Sequence, residues 1–288
     1  MDVKVSVCIP VYKVENFIEK CARSLFEQTM QEGIEFVFVN DCTPDRSIEI
    51  LRQVLEEYPH RKPWVKIIDH TQNNGVGKTR RIAIENASGT YIIHCDPDDW
   101  VDANMYEELY HKAVNTDADM VYCHFWEHYS GEKPSVSYTP CYDSCDLFLK
   151  DVLAGKIHCS LWNKMFRAKI AQSPSMCLPD EICLSEDFLR VTQMLQHCRK
   201  IEWCDAPYYH YRRNRKGSYT DPSSYKIEYF TGTCKIIDIL EKCLSEQQLE
   251  ALVYFKAITL FKAVKHALLT SKEFHKLWKN DHKKMLIC

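Results

Sequence analysis

Carboxylates at the ends of apolar runs are the first chemistry the chain offers. In Cys95-Asp96-Pro97-Asp98-Asp99-Trp100 three aspartates fall within four residues, directly after the apolar stretch that begins at Tyr91. An Asp-x-Asp pair can present oxygens to a hard divalent cation such as Mg2+ or Mn2+ and to sugar hydroxyls at once. The plainer alternative is a polar turn in which Asp98 or Asp99 caps a helix starting near Asn104. A second cluster is FVFVNDCTPDRS. There Asp41 lies just beyond a strand, where a carboxylate can accept a hydrogen bond from an imide N–H such as that of uracil, or simply close the turn; Asp45 reads as a helix cap. The third is NNGVGKTRRIAIENASG, where Gly75 and Gly77 permit a tight loop and Arg80 opens a helix, able to bridge acids or meet a phosphate.

The elements that must carry these clusters follow from periodicity. Val3, Val5, Val7 and Ile9 alternate up to Pro10, the pattern of a half-buried strand. Phe17, Cys21, Leu25 and Phe26 then recur at helical spacing, and the same alternation repeats: EFVFVN with DRSIEILRQVLEEY, then VKIID with a helix running toward a stop at Gly89, then Tyr91–Cys95. Strands alternating with helices predict an α/β fold with a mostly parallel sheet covered on both faces. In such sheets ligands bind at the carboxyl ends of the strands, which is where all three clusters fall. Past Asp119 the pattern is less regular: DMVYCHFWEHY as a strand, a helix from about Ser144 to Leu153, another beginning near Ser185, and KIEWCDAPYYHYRRN as a strand. Two helices, Tyr225 to Leu244 and Glu246 to Leu269, and a Lys-rich tail complete the chain.

Composition narrows the class. With 45% hydrophobic and 27% charged residues over 288 positions and a net charge of -3, the chain is an ordinary globular protein that advertises no nucleic-acid partner. Fifteen cysteines without a CxxC pair, in a chain that opens on a strand and without a secretory signal, predict reduced thiols acting as small core hydrophobes, Cys8, Cys95 and Cys183 among them, and a cytoplasmic location. No apolar run reaches the roughly 20 residues that span a bilayer. His124 and His128 have helical spacing but sit in a strand-like segment with no third ligand nearby, so a zinc site is not expected.

In order, VSVCIPVYKVENFIEKCARSLFEQT, FVFVNDCTPDRS and NNGVGKTRRIAIENASGTYIIHCDPDDW resemble the nucleotide-sugar half of glycosyltransferase family 2, inverting enzymes of GT-A fold. LWNKMFRAKI, LSEDFL and YYHYRRNRKGSYT resemble the acceptor half of bacterial members, extending the likeness to about residue 220. The resemblance implies a GT-A, Rossmann-like mixed sheet over 1–217, divided into a nucleotide-sugar half (1–119) and an acceptor half (120–217), with a C-terminal helical appendage over 218–288. It further implies a UDP-sugar donor with Mn2+ or Mg2+. Asp41 would contact the uracil, Pro10 and Tyr12 would line the base pocket, and Asp96 would meet the ribose or the metal-bound diphosphate. Asp98 would hold the metal, and Arg80 would lie near the diphosphate and these acids. Cys42-Thr43 replaces the family's Gly-Ser, and Arg81 and Ala83 stand in place of its Asn and Gly.

Inverting transfer needs a base for the acceptor hydroxyl, and Glu186 and Asp187 both qualify by chemistry. The resemblance favours Asp187, with Glu186 orienting or binding acceptor. The competing structural account has Ser185 capping a helix whose first turn welcomes acids. Arg212, Arg213, Arg215 and Lys216 form a run that could close over a leaving diphosphate, or remain a solvated surface; His210 is expected to be structural. Eight lysines from Lys256 to Lys284, interleaved with Phe and Leu, suit either a packed helix or peripheral contact with an anionic membrane, such as the inner face of the plasma membrane, where a lipid-linked acceptor would be found. The expected activity is transfer of a sugar to a hydroxyl of a glycan or lipid-linked acceptor in surface polysaccharide synthesis. The alternatives are a non-catalytic nucleotide-sugar binding protein of the same fold and an Asp-x-Asp phosphohydrolase.

Overall fold

A computed structural model describes residues 2–176, 179, 185–213 and 227–265. Four parallel strands carry the first half: β1 (Val5–Val11), β2 (Ile34–Asn40), β3 (Val65–Asp69) and β4 (Tyr91–His94), in the order β3-β2-β1-β4. Their crossovers are α1 (Ile18–Phe26), α2 (Ser47–Glu56) with a 3-10 turn at Pro59–Trp64, and α3 (Val76–Glu85). After β5 (Trp100–Val101) and α4 (Met105–Thr116) the sheet continues through β6 (Met120–His128), β7 (Ser135–Ser137), β8 (Lys164–Arg167) and β9 (Ile201–Arg212). Here β8 is antiparallel to β4 and β6, β6 is parallel to β9, and β5 pairs antiparallel with β9. The helices of this half are α5 (Cys145–Leu153), α6 (Ala168–Ala171) and α7 (Glu186–Gln196), followed by α8 (Ile227–Leu240) and α9 (Glu246–Lys265). The sheet is therefore mixed.

Apolar side chains fill both faces. Helices α1, α2 and α4 bury Leu25, Leu51 and Leu109 on one side, while α3, α5, α7 and the C-terminal pair bury Ile84, Phe148, Leu189, Ile236 and Leu252 on the other. This changes the reading of β1: all seven of its residues are buried, not every second one. The polar member of that alternation, Ser6, donates to the buried Glu35 at 2.6 Å and accepts from the Gly89 N–H. Gly89 itself is no helix stop, since α3 has already ended at Glu85. A Cβ there would come within 2.7 Å of the Ser6 nitrogen, so glycine lets the loop cross β1 closely.

Three capping expectations change as well. Neither Asp98 nor Asp99 caps α4, whose N-cap Asn104 has no side-chain hydrogen bond. Ser185 occupies the N-cap of α7 with φ 60, and its hydroxyl meets Thr233 Oγ1 rather than the helix. Asp45 stands one residue ahead of the α2 N-cap, Arg46, yet its Oδ1 accepts from the Ser47 N–H at 3.2 Å. Among the thiols, Cys8 and Cys95 are free and buried as expected, whereas Cys42, Cys141 and Cys243 are exposed; Cys183 lies outside the described residues. No described helix is long and apolar enough to cross a membrane. Of the lysine run, Lys256 pairs with Glu241 at 2.6 Å, and the lysines from Lys272 on lie outside the described residues.

Candidate active site

Parallel register sets the carboxyl ends of β1, β2 and β4 side by side, with Val11 opposite Asn40 and Cys8 opposite His94. The loops that leave these ends are stitched together: Lys13 N donates to Thr43 Oγ1 at 2.8 Å and Glu15 N to Asp45 Oδ2 at 3.1 Å. Pro10 is buried at the end of β1, and Tyr12 is half-buried at the start of its loop. Lys13 and Cys42 face each other across these loops with φ 52 and 55. Cys42 thus occupies a left-handed position, which suits the glycine of the family pattern, and its thiol is exposed rather than in the core.

Asp41 is 3% exposed and organises the next loop. Its Oδ1 accepts from Asn74 N at 2.7 Å and meets His70 Nδ1 at 3.0 Å, while Oδ2 accepts from Gly75 N at 2.9 Å. Three of the roughly four positions at which a carboxylate accepts are thus filled from within the loop. Of the two alternatives in the sequence, turn closure is the one these bonds display.

Arg80 is the centre of the site. From α3 its Nη2 donates to Asp96 Oδ1 at 2.7 Å, and its Nη1 donates to both Glu186 Oε1 and Asp187 Oδ1. The guanidinium is 6% exposed. Burial works against its charge, but Asp187, Asp96 and Glu186 more than offset that and hold it protonated. Three acids around one cation leave an excess of negative charge. Burial is the main cause that raises the Asp187 carboxyl above its ordinary range; Arg80 opposes this, and Glu186 and Asp96 add to it. Arg190, one turn further along α7 and 4% exposed, supplies a second buried cation whose charge interacts with Glu186.

The other two aspartates differ in role. Asp99 is 1% exposed, accepts from Tyr209 Oη at 2.8 Å and from Arg212 N at 2.7 Å, and is raised by burial and then by the charges of Asp98 and Asp96. Tyr209 also accepts from Asp96 N at 3.1 Å, so one phenol sets the turn from both sides. We expect Tyr209→Phe, which leaves Asp99 short of a donor in a buried site, to destabilise the fold by about 1–3 kcal/mol in urea unfolding. Asp98 is half-buried at the rim, and Arg212 Nε donates to its carbonyl at 3.1 Å.

The basic run divides. Arg212 packs between Phe17 and Trp100, with ring centroids 4.9 and 5.2 Å away, and stays at the rim. Arg213 is drawn to Glu127 at 2.8 Å, and Arg215 and Lys216 lie outside the described residues. His210 is structural as expected: it contacts Asp102 at 2.9 Å and His128 at 3.0 Å, and stacks on Trp100. His124 is held by Asp205 and the Thr139 N–H. Among the described residues no three His, Cys, Asp or Glu converge as a ready metal cage. The acids Asp96 and Asp98 still fit a divalent ion of the Mg2+ kind, which takes one or two carboxylates and completes its shell with phosphate oxygens and water. Sequence reasoning missed Tyr209, whose only signal was an aromatic run within a strand.

Comparison with known proteins bears on this arrangement. The sequence model described as Glycosyl transferase family 2 matches residues 6–172, more than half of the chain and all three rim loops. The chain belongs to glycosyl transferase family 2. This family 2 chain is 30% identical over 218 residues to the uncharacterized glycosyltransferase EpsJ of Bacillus subtilis, covering 73% of this chain and 61% of that protein. It is 27% identical over 237 residues to the poly(ribitol-phosphate) beta-glucosyltransferase of Bacillus spizizenii, covering 81% of this chain but 36% of that protein. The chain thus spans about three-fifths or less of these relatives. Residues 1–349 of S. aureus TarS, solved with UDP-GlcNAc, superpose with a TM-score of 0.69 at 21% identity, covering 91% of this chain and 73% of that one. The fold is that of the GT-A glycosyltransferases.

Proposed function

We propose that this family 2 chain transfers a sugar, with inversion, from a UDP-sugar to a hydroxyl of a glycan or lipid-linked acceptor in cell-surface polysaccharide synthesis. The observation that carries the proposal is Arg80, which joins the donor-side carboxylate Asp96 to the acids Glu186 and Asp187 of α7. Family membership supports glycosyl transfer, and the UDP-GlcNAc bound by TarS supports a uridine donor. Asp41 would accept from the base N–H, beside Pro10 and Tyr12.

Asp187 would accept the proton of the acceptor hydroxyl as its oxygen attacks the anomeric carbon opposite the leaving diphosphate, with Glu186 orienting that acceptor. A carboxyl raised by burial is a stronger base than an ordinary aspartate once ionised, and Arg80 beside it supports the ionised form. Arg80 and Arg212 would face the charge that develops on the diphosphate. A divalent ion held by Asp98 and Asp96 would, when bound, act as a Lewis acid on that diphosphate. A phosphohydrolase reading would use Asp96 as nucleophile, and it leaves Asp41 and Asp187 without roles.

Thermal melting against UDP, GDP, CMP and dTDP sugars, each with and without Mn2+, tests the donor assignment. UDP-sugars should raise the melting temperature in a metal-dependent way, at 100 times Kd by the equivalent of about 2.7 kcal/mol. Asp98→Asn should abolish the metal-dependent part. A shift confined to another base, or none, would overturn the donor assignment.

A further inference from the structure

A buried lysine on the acceptor side has no place in this mechanism. Lys164 is 1% exposed at the start of β8, and a cation so placed must be compensated. Its Nζ donates to the carbonyls of His158 and Ser160 at 2.8 and 2.9 Å and to Asn163 Oδ1 at 2.9 Å. Asn163 in turn donates to the Cys123 carbonyl of β6. The loop 156–163 is therefore pegged from beneath. Trp162 fixes it from the side, 2% exposed and stacked on Tyr209 at 4.2 Å and 12°, the residue whose hydroxyl holds Asp99.

What this framework presents to solvent is His158. The residue is exposed, but its ring is set into the cleft 5.6 Å from Phe125, 5.5 Å from Trp162 and 5.8 Å from Tyr211, where burial lowers the imidazole to about 3 and keeps it neutral. Tyr211 carries Arg213 over its ring at 4.9 Å, and Arg213 is held flat by Glu127. The same loop lies within electrostatic reach of the α7 acids: burial and then Asp187 raise the thiol of Cys159, the neighbour of His158. Tyr211, 9% exposed beneath Arg213, is the floor rather than the surface, and what lies above it is a planar imidazole, a guanidinium and a carboxylate, groups that hydrogen-bond the hydroxyls of a saccharide.

We propose that His158, with Arg213 seated on Tyr211, forms the ledge that holds the acceptor saccharide beside Asp187, and that Lys164 positions this ledge through the His158 carbonyl. The inference rests on the glycosyl-transfer reading and names the place and chemical class of its acceptor. It also gives Arg213 a role distinct from that of Arg212 at the diphosphate.

The test measures UDP release from the UDP-sugar that gives the largest melting shift, with water alone and with a panel of p-nitrophenyl glycosides, for the wild type, His158→Ala and His158→Gln. In the wild type the glycosides should stimulate release. His158→Ala should lower kcat/KM for the stimulating glycoside by about tenfold. Release to water and the UDP melting shift should stay at wild-type level, and His158→Gln, which keeps a planar hydrogen-bonding group, should recover part of the loss. Stimulation that His158→Ala leaves unchanged, or an equal fall in release to water, would overturn the ledge, as would a wild type that releases UDP to water but responds to no glycoside. A wild type that neither shifts with UDP nor releases it defeats the glycosyl-transfer reading instead. The ring of His158 touches Phe125, Trp162 and Tyr211, so His158→Gln is the variant that keeps this packing, and Lys164→Met should reproduce the selective loss of stimulated release if it folds.

Discussion

Asp187→Asn should lower the rate of sugar transfer by about 10^2–10^4-fold in kcat while leaving the UDP melting shift in place. Asparagine keeps the shape of the side chain and can still accept from Arg80, but it cannot take the acceptor proton. Its effect on stability should have the opposite sign to its effect on activity. The Asp187 carboxyl is raised by burial and by its acidic neighbours, so its ionised form is disfavoured in the fold, and a neutral amide removes one of three acids that share one guanidinium. The variant should therefore melt no lower than the wild type at pH 8. Glu186→Gln should slow transfer less, because Glu186 only orients. If Asp187→Asn leaves transfer intact and Glu186→Gln abolishes it, the base assignment passes to Glu186.

Replacing Arg80 by methionine should be the most destabilising change in the site, about 3–5 kcal/mol at neutral pH, because the acids it joins lose their common buried cation. In a chain of this size that corresponds to a fall in melting temperature on the order of ten degrees. The loss should also depend on pH in a defined direction. A carboxyl raised in the fold binds more protons there than in the unfolded chain, so stability falls as pH rises from the ordinary carboxyl value, about 4, toward the raised value. Below that interval the acid is neutral in both states. Without Arg80, which pulls Asp187 downward, the interval widens upward. The melting difference between wild type and Arg80→Met should thus be small near pH 4 and grow toward pH 8; a difference independent of pH would mean that Arg80 stabilises by packing alone. Transfer should fall as well, since Asp187 loses the cation that favours its ionised form.

Much of the fold was legible because its signals are local. The strands from Val5 to His94 and their helices follow from period-two and helical spacing, and the α5 boundary follows from Ser144, whose hydroxyl accepts from Leu147 N as a cap should. Errors arose where a local motif served a distant partner. Ser185 looked like a cap and bonds Thr233; Gly89 looked like a helix stop and clears the backbone of β1; Ser6 looked like a solvent-facing strand residue and satisfies Glu35. In each case the side chain or its absence answers to another segment, which periodicity does not register.

The sequence by itself determined that carboxylates would gather at the carboxyl ends of parallel strands, since strand ends and acid positions are both local facts. Only the tertiary structure decided which acid is sealed and which stays at the rim. Asp98 remains half-buried at the rim while Asp99, its neighbour, is sealed by Tyr209 and Arg212, more than a hundred residues later. Arg80 reaches Glu186 across 106 residues and Asp187 across 107. The reason is physical: a charge taken out of water must find its counter-charges among whatever the packed chain brings near, and that choice is made by the fold as a whole rather than by spacing along the sequence.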